Sequence, residues 1–205
     1  MAMAQQKSQN PLYMSEADYL AFEEQSEIKH EYARGRVYEM AGADWNHVMI
    51  TQSTSSALYA QLRGKSCKVG TNDLRLKVKS KKVSYRYPDV MVYCGDEDYA
   101  DERNDTLKNP LVIVEVLSPS TALKDRNEKL DEYLQSTTLQ EYVLVTQHEA
   151  KVEVFSRHES GKWLYDKYKG LEASLLLASI DCTLDLSRIY RKVTLDDTTP
   201  PPSSD

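Results

Sequence analysis

Residues 111–118, LVIVEVLS, are apolar on both alternating faces except at Glu115. A half-buried strand alternates apolar with polar side chains, so a run apolar on both faces predicts a central strand covered on both sides. Glu115 is then expected to be buried. A carboxylate in such a strand costs several kcal/mol unless it is paired, neutralised or bound to a metal, so Glu115 must have a partner.

Moving outward from this strand, Pro119 ends it, and a helix is predicted over Asp125–Gln135 with Leu123, Leu130 and Leu134 turned toward the core. EYVLV (141–145) predicts a second apolar strand. KVEVFSR (151–157) pairs with it across a QHEA turn, and KWLYDKY (162–168) predicts a further strand of the same sheet. Upstream, YPDVMVYC (87–94) begins a strand at a proline and sets Asp89 at its entrance. Leu74, Leu76 and Val78 alternate with Arg75, Lys77 and Lys79, the period of a half-buried strand with a cationic outer face, and a turn at SKK returns the chain.

The stretch Asp44–Leu62 lacks Gly and Pro and places Val48, Thr51, Ser55, Leu58 and Leu62 on helical spacing, predicting a long helix. Gly35, between two short runs of strand formers in EYARGRVYEMAG, predicts a hairpin. Ser15 and Asp18 form a capping arrangement ahead of Tyr19, Leu20 and Phe22, predicting a short first helix. Together these elements predict an α/β fold: a mixed central β-sheet flanked by helices, with an N-terminal helix and hairpin.

A chain of 205 residues suits one core. A single domain is expected over residues 11–196, between a polar N-terminus (1–10) and a Pro/Ser-rich tail (197–205) with the composition of disordered ends. No apolar run approaches the roughly 20 residues of a membrane span. The polar start MAMAQQKSQN has no signal-peptide core, so no membrane association and a cytoplasmic location are expected. Cys67, Cys94 and Cys182 are widely spaced and form no CxxC. They are expected to be buried or incidental thiols, neither a disulfide framework nor a thiolate zinc site.

The formal charge of −6 argues against a protein that coats nucleic acid non-specifically. It is unevenly spread. From Lys65 to Arg86 stand Lys65, Lys68, Arg75, Lys77, Lys79, Lys81, Lys82 and Arg86, with Asp73 as the one acid among them. Such a run is more often the solvated face of a hairpin than a holder of phosphate, and its position directly before Asp89 raises the odds of the second.

Asp89 and Glu115 fall on neighbouring apolar strands, and two adjacent carboxylates repel unless a cation sits between them. An all-oxygen acidic site suits Mg²⁺ or Mn²⁺. The competing reading is a plain buried salt bridge from Glu115 to Lys129. Asp125 and Lys129 at i and i+4 could be only a helix pair worth about 0.3 kcal/mol; Tyr133 falls on the same stripe. His47 has no HxxxH or HxH spacing and is expected to be an ordinary hydrogen-bonded histidine, not a zinc ligand.

EYARGRVYEMAG with His47, then YPDVMV, then VEVLSPSTALKDRNEKLDEYL with its Asp125, Lys129 and Tyr133, and finally EYVLV resemble, in that order, the Uma family of predicted restriction endonucleases within the PD-(D/E)xK nuclease superfamily. The resemblance runs from about Tyr13 to Tyr190. It implies a restriction-endonuclease-like core in which Asp89 and Glu115 bind Mg²⁺ (or Mn²⁺) and Val116 adds its backbone carbonyl. The superfamily's usual lysine position is Leu117 here, and Lys129 takes its place as the catalytic lysine. Glu31 resembles an acid supplied by an early helix, holding a second metal or its water.

The activity implied is metal-dependent hydrolysis of phosphodiesters in nucleic acid, DNA above all, by a homodimer. Arg75, Lys77, Lys79, Lys81, Lys82 and Arg86 would hold the backbone phosphates. The alternative is a nuclease-fold nucleic-acid-binding or scaffold protein that does not cleave. Two departures from the family pattern, Val143 in place of Trp and Thr146-Gln147 in place of an acidic strand ending, bear on packing.

Overall fold

The computed structural model describes residues 12–80, 82–119 and 121–196; the terminal segments expected to be disordered and Lys81 lie outside the described residues. In chain order the elements are β1 (Leu12–Tyr13), α1 (Glu16–Gln25), β2 (His30–Ala33), β3 (Arg36–Glu39), α2 (Trp45–Leu62), β4 (Cys67–Thr71), β5 (Arg75–Lys79), β6 (Val83–Arg86), β7 (Val90–Cys94), β8 (Thr106–Leu107) and β9 (Val112–Leu117). A helical segment of residues 122–133, here α3, follows. It begins with the α-helical turn Ala122–Lys124, widens into a π-turn over Asp125–Lys129 and returns to α-helix over Leu130–Tyr133. Then come β10 (Glu141–Thr146), β11 (Lys151–Arg157), β12 (Trp163–Lys169), β13 (Ser174–Leu177), β14 (Cys182–Asp185) and α4 (Leu186–Ile189).

The main sheet runs β12-β11-β10-β9-β7-β4. As its composition requires, β9 is buried at every residue and lies between two partners, parallel to β10 and antiparallel to β7. The two-residue period of these strands sorts their side chains. Val90, Val92, Val112, Val114, Val116, Val143 and Val145 face α2 and the β13–β14 hairpin. Met91, Ile113, Leu117, Tyr142 and Leu144 face α3 and β5. Glu115 belongs by parity to this second face, and Asp89 stands just ahead of β7.

The second sheet runs β1-β3-β2-β6-β5-β8. Its β2–β3 hairpin is the one predicted at Gly35, and Arg34 and Gly35 both take positive φ (54° and 90°). A two-residue turn with both central residues left-handed matches strand twist and suits glycine. Helix α1 starts at Ser15, whose hydroxyl caps the amide of Asp18, and buries Tyr19 against Tyr32 and Tyr85. The expected mixed sheet with flanking helices is therefore what forms. No helix among the described residues is long and apolar enough to cross a membrane.

Several local expectations are corrected. The strand returning from the SKK turn is β6, which pairs with β5, while β7 joins the other sheet. Helix α2 has the predicted span, but its buried stripe is Ile50, Thr54, Leu58 and Leu62, and Val48 is 43% exposed. Helix α3 packs Leu130 on the core as expected, but it also buries Asp125, Lys129, Glu132 and Tyr133, and Leu123 is 77% exposed. Ion pairing of the charged groups outweighs burial of Leu123. Cys67 and Cys94 are directly opposed across β4 and β7 and form a disulfide, so they are not free thiols; Cys182 is a buried free cysteine.

Candidate active site

The strand pairing of β7 with β9 stops at Val90 opposite Val114, and one step further on lie Asp89 and Glu115. There the Asp89 side chain replaces the ladder: its Oδ2 accepts the amide of Val116 at 2.7 Å. Paired residues of an antiparallel ladder direct both N–H and C=O toward the same neighbour, so the Val116 carbonyl leaves β9 on the Asp89 edge. Asp89 Oδ1 lies 2.8 Å from Nε2 of His47, on the first turn of α2. That turn is fixed by Asp44, whose side chain caps the His47 amide at 2.9 Å and accepts from Gln147 at the end of β10.

Glu115 is covered by α3. Its Oε1 accepts from Lys129 Nζ at 2.9 Å and from the Tyr133 hydroxyl at 3.0 Å. Lys129 Nζ also lies 3.1 Å from Glu31 Oε1 and 3.1 Å from Asp125 Oδ1. The π-turn spans Asp125 to Lys129 and leaves both of these end residues buried. Such wide turns in α-helices are frequent at functional sites.

Behind Glu31 stands Arg86, fully buried. Its Nη1 donates to Glu31 at 3.0 Å, its Nη2 to Glu128 at 2.8 Å, and its Nε and Nη2 to Glu132 at 3.0 and 2.8 Å. Lys124 Nζ reaches the same Glu31 oxygen as Arg86, Oε2, at 2.6 Å.

The electrostatics of these groups diverge. Burial is the largest influence on Glu31 and raises its pKa, but Lys129, Arg86 and Lys124 together hold the carboxyl far below its ordinary value. Burial also dominates at Glu115. Lys129 opposes it, while Asp125, Asp89 and Glu31 reinforce it, and Glu115 is pushed up to about 8. His47 is pulled down by burial yet ends above its ordinary value, because Asp89, Asp44 and Asp125 favour the imidazolium.

Of the residues singled out from sequence, Asp89, Glu115, Val116, Lys129 and Glu31 thus come together at one place, although Glu31 is supplied by strand β2 and not by the early helix expected. The basic run does not. Arg75 is buried, bonded to Thr106 and Asp105, and Arg86 is sealed among glutamates. Lys77 is half-buried on Glu16, whereas Lys79 and Lys82 are exposed. A cationic outer face on β5 is therefore reduced to these last lysines among the described residues. The side-chain contact from His47 to Asp89 spans 42 residues of sequence, and no local spacing announces it.

A family model for Uma2, described as "putative restriction endonuclease", matches residues 16–187. The chain belongs to the Uma2 family. It is 34% identical over 178 residues to the uncharacterized protein slr1290 of Synechocystis sp., covering 87% of this chain and 92% of that protein. A second Synechocystis relative, the uncharacterized protein sll1609, is 33% identical over 162 residues, 79% of this chain and 91% of its own length. The crystal structure of a "putative nuclease" of DUF820 from Anabaena variabilis superposes with a TM-score of 0.66 at 17% identity, covering 81% of this chain and 92% of that one. The last match bears on the fold, and it agrees with the restriction-endonuclease-like core expected of a Uma2 member.

Among the described residues no group of three or more His, Cys, Asp or Glu side chains converges as a ready metal cage. The candidate site nevertheless fits a hard divalent cation by the chemistry of its donors. Two carboxylates stand beside each other with the Val116 carbonyl directed to their edge, and burial, reinforced by three neighbouring acids, pushes Glu115 upward. Mg²⁺ keeps several of its waters and is usually held by one or two carboxylates.

Proposed function

We propose that this chain is a divalent-metal-dependent endonuclease that hydrolyses phosphodiester bonds of nucleic acid, with DNA as substrate and a homodimer as the working form. The observation that carries the proposal is that Asp89, bonded to the Val116 amide, and Glu115, bonded to Lys129, stand side by side where the β7–β9 pairing ends. DNA and the dimer follow from the restriction endonucleases that Uma2 resembles.

Asp89, Glu115 and the Val116 carbonyl would hold Mg²⁺ or Mn²⁺. When bound, the ion supplies Lewis acidity toward the phosphate and toward water. Lys129 then has the protein's principal part: its ammonium orients the attacking water and offsets the charge that develops on phosphorus. Glu31, already neutralised by three cations, positions Lys129 instead of holding a second metal. Tyr133, one turn beyond Lys129 on α3, fixes the same oxygen of Glu115. Of the residues expected to hold phosphate, Lys79 and Lys82 are exposed and would hold backbone phosphates without reading bases.

A second reading is a nuclease-fold binding or scaffold protein in which Glu115 and Lys129 are only a buried ion pair. Their 2.9 Å contact favours it. Purified protein incubated with duplex DNA, single-stranded DNA and RNA, in Mg²⁺ or Mn²⁺ and in chelator, separates the two. Cleavage that needs metal and is lost in both Asp89→Ala and Glu115→Ala supports the nuclease. Cleavage of all three substrates undiminished in either variant, or none by the wild type, rejects it.

A further inference from the structure

The proposed metal ligands do not explain why the first turn of α2 is tied down twice. Asp44 caps the amide of His47 with one carboxylate oxygen and receives the Gln147 amide on the other, so the helix start is fastened to the end of β10. Gln147 is fully buried. The beneficiary of this arrangement is the imidazole of His47, whose Nε2 reaches Asp89 Oδ1 at 2.8 Å and whose ring is only 17% exposed.

A short aspartate side chain rotates about two bonds and can present either oxygen or both to a cation. Here both oxygens have fixed partners on opposite sides, the Val116 amide on Oδ2 and His47 on Oδ1. Each carboxylate oxygen retains a further acceptor direction, so the ligand is not used up by being held. A ligating carboxylate that is itself hydrogen-bonded binds metal from a fixed orientation, and removal of such a partner typically costs about 10–100-fold in affinity or activity.

We infer that His47 is a positioning residue of the metal site: it donates Nε2–H to Asp89 Oδ1 and, clamped through Asp44 and Gln147, holds that carboxylate in its metal-binding orientation. This rests on the proposed role of Asp89. It assigns β10, a strand that contributes no ligand, a part in the site through its last residues.

The test measures Mn²⁺ affinity by calorimetry on the whole chain, together with thermal melts in chelator. His47→Ala should weaken Mn²⁺ binding about 10–100-fold with the metal-free melt little changed. His47→Gln, which can place an amide N–H near the Nε2 position, should recover most of the affinity, and Gln147→Leu should lose part of it through Asp44. Mn²⁺ affinity unchanged in His47→Ala overturns the inference when Asp89→Ala abolishes binding in the same assay. His47→Gln as weak as His47→Ala also overturns it. If Asp89→Ala itself binds Mn²⁺ like wild type, the metal site fails, and the role of His47 with it.

Discussion

Glu31 and Glu115 are both buried, and both lie about 3 Å from the same ammonium, at 3.1 and 2.9 Å from Lys129 Nζ. Their pKa values nevertheless move in opposite directions, Glu31 down and Glu115 up to about 8. The distance to the shared lysine cannot be the cause. Glu31 has two more cations, Arg86 at 3.0 Å and Lys124 at 2.6 Å, whereas Glu115 looks at Asp89, Asp125 and Glu31. One lysine therefore joins a closed structural cluster to an open one with negative charge to spare. The contrast separates the part of the network that holds the fold from the part suited to a metal.

The largest effect should follow from breaking the closed half. Arg86 is matched by hydrogen bonds to three glutamates and has no exposure. Arg86→Met leaves Glu31 and Glu132 buried, and Glu128 half-buried, around an apolar side chain. Removing one partner of a buried pair costs about 3–5 kcal/mol, and denaturant unfolding should show a loss of that order. A loss below about 1 kcal/mol, the range of exposed pairs, would show that water relieves these glutamates and that the cluster is not closed.

The open half should behave in the reverse sense. Glu115→Gln removes a charge that its acidic neighbours disfavour, so in chelator the variant should be as stable as wild type or more so. Metal should invert the ranking. At 100 times its dissociation constant, Mg²⁺ or Mn²⁺ adds about 2.7 kcal/mol to a protein that binds it only when folded. Glu115→Gln, short of one ligand, should gain much less. Thermal melts of both proteins in chelator and in excess metal check this. A variant strongly destabilised in chelator, beside a wild type indifferent to metal, would make Glu115–Lys129 a plain salt bridge and remove the difference from Glu31.

How much of this was legible in the sequence follows from which signals are local. A lone carboxylate in VIVEVL forces a buried, partnered Glu115, and the four-residue spacing of Asp125, Lys129 and Tyr133 places them on one helical stripe. Helix α2 and the β2–β3 hairpin were marked by their own punctuation. What stayed hidden depends on pairing at a distance. Arg75 and Arg86 read as part of a cationic surface because their acidic partners, Asp105, Glu31, Glu128 and Glu132, stand 30 to 55 positions away. Distant partners likewise draw Lys129 inward to Glu31 and Glu115 and Glu132 inward to Arg86, while Leu123 turns outward. The Cys67–Cys94 pairing arises from strand register, which cysteine spacing does not encode.

The smallest effect is reserved for the third cation on Glu31. Lys124 is partly exposed and lies 4.4 Å from the centre of the Tyr38 ring as well as 2.6 Å from Glu31 Oε2. Arg86 and Lys129 remain when it is removed, so Lys124→Gln should cost at most about 1 kcal/mol, the scale of a solvent-accessible ion pair. Its sign with pH is fixed. Glu31 has a folded pKa below its ordinary value of 4.5, so the stability it gains from its cations is complete above pH 4.5 and lost as acid protonates the folded carboxyl. The gap between wild type and Lys124→Gln should therefore be full at neutral pH, persist to about 4.5 and close below it. Urea melts of the two proteins from pH 7 down to the acid transition measure that gap. A gap that widens toward acid would mean that Lys124 does not act through a charged Glu31, and the closed cluster would then rest on Arg86 and Lys129 alone.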